Sequence, residues 1–135
     1  MDNLPTVEQL LAPIRRQRTI DVRPGMYWDA EGGQCRACLV GFYAFKQMQT
    51  EYPSLRPRGA ERIFYPDGQL PPNKYDLAQA HLHLNYHTLR QIEAGFEGYS
   101  PSSDSPHNMG PPAYMLGWEV ARRLHEDRDG EYTNG

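Results

Sequence analysis

The feature that most constrains this chain is a stretch that would be apolar on nearly every side of a helix. At helical spacing one stripe of it is formed by Cys35, Cys38, Phe42 and Phe45. A second stripe, of smaller residues, is formed by Ala37, Gly41, Ala44 and Met48. A helix that is apolar all round has to be covered on all sides. We therefore predict a central, buried helix from about Gln34 to Thr50, with both cysteines on it.

Length and composition limit what surrounds this helix. The chain has 135 residues, of which 39% are apolar and 23% charged, as in one globular domain with its own core. Twelve prolines and twelve glycines predict short elements joined by irregular loops. We expect a single domain over residues 1–135, with residues 127–135 as a frayed tail.

Three further helices are predicted from capping residues and apolar spacing. The first spans about Pro5–Arg18, opens with a capping box at Thr6 and Gln9, and contains Pro13, which would bend it or end it early. The third spans about Lys74–Gly95. The last begins near Pro111 and carries a seam of small residues, namely Ala113, Gly117 and Ala121.

Strands have a minor place in this prediction. Residues 19–22 alternate and predict a short strand, and Pro66-Asp67-Gly68 predicts the turn of one short β-hairpin. The expected fold class is therefore mostly α: a small domain of about four helices around the central helix, with one hairpin.

The expected compartment is the cytoplasm. The first residues lack the basic and apolar regions of a signal peptide, and no apolar run approaches the ~20 residues that span a bilayer. Cytoplasmic thiols stay reduced.

Charge is unevenly distributed. The net charge is −3, but residues 1–66 hold nine Lys/Arg and seven Asp/Glu, whereas residues 67–135 hold five and ten. Arginine and exposed aromatic residues dominate binding interfaces. The candidate partner-binding residues are Arg15, Arg16, Arg18, Arg23, Tyr27, Trp28, Arg56 and Arg58. The net acidity favours a protein partner over nucleic acid.

The cysteine pair leaves three interpretations open. Cys35 and Cys38 are spaced as in redox motifs, share an apolar stripe as buried structural thiols would, and could join His83 and His87 in a zinc site. The two histidines are four residues apart and can face one ion. The interpretation as structural thiols is favoured, because the cysteines lie on an apolar face and the histidines on a polar one.

A second polar group lies within the apolar arc of the third predicted helix. His81, Asn85 and Thr88 are spaced four and three residues apart, and we expect them to be buried. Buried polar groups need partners, so they would form either a satisfied core network or a pocket beside a cysteine. Cys with His and Asn is also the composition of a nucleophilic site.

No complete catalytic or cofactor motif is present in the sequence. The favoured hypothesis is a small, non-enzymatic accessory protein that binds a protein partner and needs no cofactor. The alternative is a zinc-binding protein, and a thiol or Cys–His enzyme is the third hypothesis.

Overall fold

Helix α2, Leu39–Glu51, is the centre of the fold. The computed structural model describes residues 4–25, 28–29, 35–57, 74–98 and 112–133. The buried residues of α2 are Leu39, Val40, Gly41, Phe42, Tyr43, Ala44, Phe45 and Met48. The central, buried helix is thus confirmed, and the described part of the chain is mainly helical, as the sequence predicted.

The described ranges contain eight regular elements in chain order. They are α1 (Val7–Arg15), β1 (Ile20–Val22), β2 (Trp28–Asp29), β3 (Cys35–Ala37), α2, α3 (Lys74–Leu82), α4 (Tyr86–Glu97) and α5 (Pro112–Thr133). The strands form one sheet of order β1-β3-β2, in which β3 runs parallel to β1 and antiparallel to β2. The strand predicted at residues 19–22 is confirmed, whereas the hairpin predicted at Pro66–Gly68 lies outside the described residues.

The start of α2 differs from the prediction. Residues 35–37 are the middle strand of the sheet, and Cys38, with φ −78° and ψ 179°, is the N-cap of the helix. The helix therefore begins at Leu39 instead of Gln34. Pairing with a strand on each side takes up the backbone hydrogen bonds of β3, which outweighs the helical spacing of its side chains. Cys35 and Ala37 still face the core, and Arg36 between them is exposed.

The outer edge of β1 is covered by side chains. The Gln17 amide accepts from Ile20 N at 2.8 Å and donates to Ile20 O at 2.9 Å, as a neighbouring strand would. Arg128 on α5 donates to Val22 O at 3.1 Å. These bonds occupy backbone groups that an edge strand would otherwise present to solvent.

The helix predicted over Lys74–Gly95 is broken in two. Helix α3 ends at Leu82, His83 has a positive φ of 57°, and Asn85 caps α4 by accepting from Thr88 N at 2.8 Å. The apolar spacing continues across this break, so periodicity alone did not reveal it. An asparagine that caps a new helix competes with continuation of the old one.

For both terminal helices, the predicted first residue agrees with the structure more closely than the predicted end. Helix α1 has the predicted capping box at Thr6 and ends at Arg15, two residues after Pro13. Helix α5 runs to Thr133, beyond residue 127 where the tail was expected to begin, and fraying of this segment stays a prediction. Asp127 holds α5 against α1 by accepting two hydrogen bonds from Arg15, at 2.9 and 3.1 Å.

Helices α4 and α5 approach so closely that their backbones touch. A Cβ atom placed on Gly95 would lie 1.9 Å from Tyr114 O, and one placed on Gly117 would lie 1.8 Å from Ile92 O. Each helix thus packs a glycine against the backbone of the other. Gly117 belongs to the predicted small-residue seam, and the structure shows that the close approach of α4 occurs at this position of the seam.

Substituting either glycine at this crossing is expected to destabilise the protein strongly. In Gly95→Ala or Gly117→Ala the new methyl group meets backbone, which cannot rotate away, so we expect a loss of about 3 kcal/mol in the free energy of unfolding. Urea denaturation followed by circular dichroism measures this loss.

Gly98→Ala is the matched control. Gly98 has φ +78° and open space around its Cβ position, so alanine there carries only the backbone strain of about 1 kcal/mol. If Gly95→Ala were no less stable than Gly98→Ala, the close contact between α4 and α5 would be refuted.

Candidate functional site

The two cysteines occupy different elements, and both are buried without a disulfide bond between them. Cys35 lies on β3, whereas the Cys38 Sγ caps α2 by accepting from Gly41 N at 3.4 Å. Three residues of extended chain span about 10 Å between Cα atoms, and a disulfide needs less than about 7 Å. The geometry therefore fits structural thiols and does not fit a redox pair.

The zinc ligand set suggested by the sequence does not assemble. Both cysteines are buried, whereas His83 and His87 are exposed. Within the described ranges no three His, Cys, Asp or Glu side chains are grouped so as to hold a metal ion. The proposal of a site made from Cys35, Cys38, His83 and His87 is therefore withdrawn, because these four residues divide between core and surface.

The polar group at residues 81–88 is also not arranged as predicted. Because the helix breaks at His83, Asn85 is exposed and serves as a cap, and the expectation of a buried row is wrong. Thr88 is half-buried, and its backbone N–H bonds to the Asn85 side chain. With its amide engaged at a helix end, Asn85 does not form the orienting member of a Cys–His–Asn site.

His81 lies beside the core without entering it. Its ring is half-buried, with a centroid 5.7 Å from that of Tyr43. Partial burial, followed by the positive charges of Lys46 and His83, lowers the pKa of His81. The neutral imidazole is therefore the form that this environment favours at pH 7.

The candidate arginines divide into paired and unpaired groups. Arg15 pairs with Asp127 and, at 3.7 Å, with Glu8, and Arg23 pairs with Asp21. Three others are exposed and have no carboxylate partner among the described residues: Arg16, Arg18 and Arg56. Tyr27 and Arg58 lie outside the described residues, as does the side chain of Trp28 on β2. That these residues bind a partner stays a prediction.

A different surface brings aromatic and basic side chains together where α3 meets α4. We call it the aromatic corner, and its members are Tyr75, Tyr86, His87 and Arg90. The Tyr75 and Tyr86 rings meet edge to face with centroids 5.3 Å apart, and the His87 ring lies 5.8 Å from that of Tyr86. Tyr86 is 41% exposed, so its ring is held in place while still facing solvent.

Arg90 completes the corner from one turn along α4. Its guanidinium carbon lies 5.7 Å from the centroid of the Tyr86 ring, within the range of a cation–π contact. Its Nη1 donates to the Tyr86 hydroxyl at 3.0 Å. The bond to Tyr86 raises the pKa of Arg90, which keeps the guanidinium fully charged.

The base of the corner is a hydrogen bond between two helices. The Tyr75 hydroxyl on α3 donates to Glu93 Oε1 on α4, and Glu93 Oε2 is buried without a hydrogen-bond partner in the described part of the chain. Burial and the hydrogen bond to the Glu93 carboxylate raise the pKa of Tyr75, and they outweigh the opposing positive charge of Arg90. Tyr75 therefore stays a neutral donor to Glu93.

The aromatic corner was not predicted from the sequence. Of its four members only His87 was singled out there, as a candidate zinc ligand. The spacing of Tyr86 and Arg90, four residues apart on one helix, was a detectable indication of contact. The approach of Tyr75 depends on the break at His83, which apolar periodicity does not reveal.

Comparisons with known proteins add no relative of this chain. No protein-family model matches it, and neither a curated protein nor a solved structure does. Across the described ranges, no helix combines the length and apolar character that a bilayer span requires.

We expect oxidation with diamide to leave Cys35 and Cys38 unlinked in the folded protein, because extended backbone separates them. Both thiols should react slowly with Ellman's reagent in buffer, since both are buried, and at once in urea. Mass spectrometry of the oxidised, unreduced protein measures the outcome.

Cys35→Ser and Cys38→Ser are the controls, since neither can form the pair. A loss of 2 Da confined to the wild type, located in the peptide with both cysteines, would contradict the structural assignment of the thiols.

Proposed function

We propose that this chain is a non-enzymatic binding protein that docks onto a protein partner through the aromatic corner. The observation that carries the proposal is Tyr86, an exposed ring that contacts both the Tyr75 ring and the Arg90 guanidinium. Tyrosine and arginine are among the residue types that contribute most binding energy at protein interfaces.

Pre-organisation supports this choice of surface. A side chain that must be immobilised on binding lowers affinity by about 0.5–1.5 kcal/mol. At the corner this ordering is already present, because Tyr86 contacts three neighbours and Arg90 is hydrogen-bonded to it. Docking there would bury an apolar ring at a reduced entropic loss.

The corner is favoured over the arginines proposed from sequence. Arg15 and Arg23 already bind carboxylates of the same chain. Arg16 and Arg18 are exposed and have neither a carboxylate partner nor an aromatic contact among the described residues, although Arg16 Nε donates to Ala12 O at 3.3 Å. They supply the comparison variant for the experiment.

The test is site-specific photo-crosslinking in an extract of the native host. Benzoylphenylalanine replaces His87 at the corner, or Tyr52 as a matched exposed aromatic position. Tyr52 caps the far end of α2, about 20 Å along the helix from the Cys38 end. We expect a protein adduct from position 87 and none of the same mass from position 52.

Variants of the aromatic corner test whether the crosslinked adduct results from docking at this surface. Tyr86→Ala with Arg90→Ala should abolish it and weaken binding of the purified, identified partner by more than tenfold, whereas Arg16→Ala with Arg18→Ala should change neither. Circular dichroism and the urea midpoint check that each variant is folded. An adduct that survives the corner variant, or that requires Arg16 and Arg18, would overturn the proposal.

A further inference from the structure

The pairing of charges on α4 differs from that on α5. On α5, Arg122 pairs with Glu119 and Glu126, and Arg123 pairs with Glu119 at 3.1 Å, all at spacings of three or four residues. Arg90 and Glu93 on α4 have the same spacing of three, which normally favours an ion pair. The structure has no such pair.

The two tyrosines of the corner keep these opposite charges apart. Tyr75 donates to Glu93 Oε1 and so holds that carboxylate toward α3, while Arg90 bonds to the neutral hydroxyl of Tyr86. Arg90 consequently has no carboxylate within 4 Å among the described residues. As far as the described ranges extend, Arg90 therefore has no counter-ion, although Glu93 lies one turn away.

The Arg90 guanidinium has N–H donors that are accessible from solvent. Guanidinium has five N–H donors in a planar fork, and the Tyr86 hydroxyl takes one of them. Arg90 is exposed, so the remaining donors are accessible to a second molecule. A fork already positioned over an aromatic ring matches the two oxygens of a carboxylate.

The charges around Arg90 favour binding of a single anionic group over binding of a polyanion. Beside Arg90 lie the exposed His87 and, one turn further along the helix, the carboxylate of Glu93. Residues 67–135, which include the corner, carry five Lys/Arg against ten Asp/Glu. A single carboxylate is attracted by Arg90, whereas a polyanion such as nucleic acid meets repulsion over its length.

We propose that the aromatic corner recognises one carboxylate in a peptide segment of its protein partner, which binds Arg90 while an adjacent apolar side chain covers Tyr86. This inference rests on the proposed function, since it names the group that the corner receives. Tyr75 acts as a positioning residue, because it keeps Glu93 from occupying Arg90.

The probe is a displayed library of random 12-residue peptides, selected on the wild-type protein and counter-selected on Tyr86→Ala. Fluorescence anisotropy then measures the affinity of the selected peptides. Each should contain a carboxylate whose replacement by an amide weakens binding about tenfold, and affinity should fall only weakly with salt, as expected for one ion pair.

Two variants test the positioning role of Tyr75. Tyr75→Phe keeps the ring but removes the hydroxyl, so Glu93 can pair with Arg90, and the selected peptides should bind five- to tenfold more weakly. Adding Glu93→Gln to Tyr75→Phe removes the competing charge and should restore affinity. A merely structural role of Tyr75 would not give this rescue.

Arg90→Lys offers an independent check if Tyr75→Phe does not fold. It keeps the charge and loses the fork, so about a tenfold loss of affinity is expected. Unchanged affinity in Tyr75→Phe, absence of rescue, insensitivity to the peptide carboxylate, or displacement of the peptide by twelve-residue oligothymidylate would each overturn the inference.

The same experiment separates this inference from the proposed function. Peptides that require Tyr86 but not their carboxylate would refute the carboxylate alone. If counter-selection on Tyr86→Ala removes every peptide that the wild type selects, docking at the corner itself is refuted.

Discussion

The burial of the apolar side chains of α2 is the constraint on which the other elements depend. A helix with apolar side chains on every face needs cover from several directions, which requires elements from both halves of the chain. Its one buried phenol, Tyr43, donates to Leu10 O on α1 at 2.6 Å, and burial raises the pKa of that phenol. A polar bond therefore fixes α1 at a position where apolar packing alone would permit sliding.

The sequence predicted those features that arise from local composition. The central helix, the capping box at Thr6, the strand near Ile20 and the small residue at Gly117 all follow from patterns within a few residues. Errors occurred where two local preferences compete. Residues 35–37 have helical apolar spacing but pair as a strand, and the chain at His83 leaves a helix without proline or glycine.

The aromatic corner could not be predicted from local sequence patterns, because it depends on the tertiary arrangement. The individual spacing of Tyr86 and Arg90 is visible, but the corner exists because Tyr75 returns to them from a separate helix. The uneven charge of the chain likewise suggested a binding surface, whereas part of it serves the fold: Arg15 binds Asp127, and Arg123 binds Glu8. Only the tertiary arrangement shows which arginines are already neutralised and that, among the exposed ones, Arg90 is held against an aromatic ring.

The covered edge of β1 has a consequence for how copies of this protein coexist. A short strand with open backbone groups is a template on which another chain can grow, and successive additions lead toward fibrils. Because Gln17 and Arg128 fill the positions that an incoming strand would take, this side of the sheet resists such growth at high concentration. Because strand addition at the outer edge of β1 is opposed, association with another molecule would use other faces of the protein.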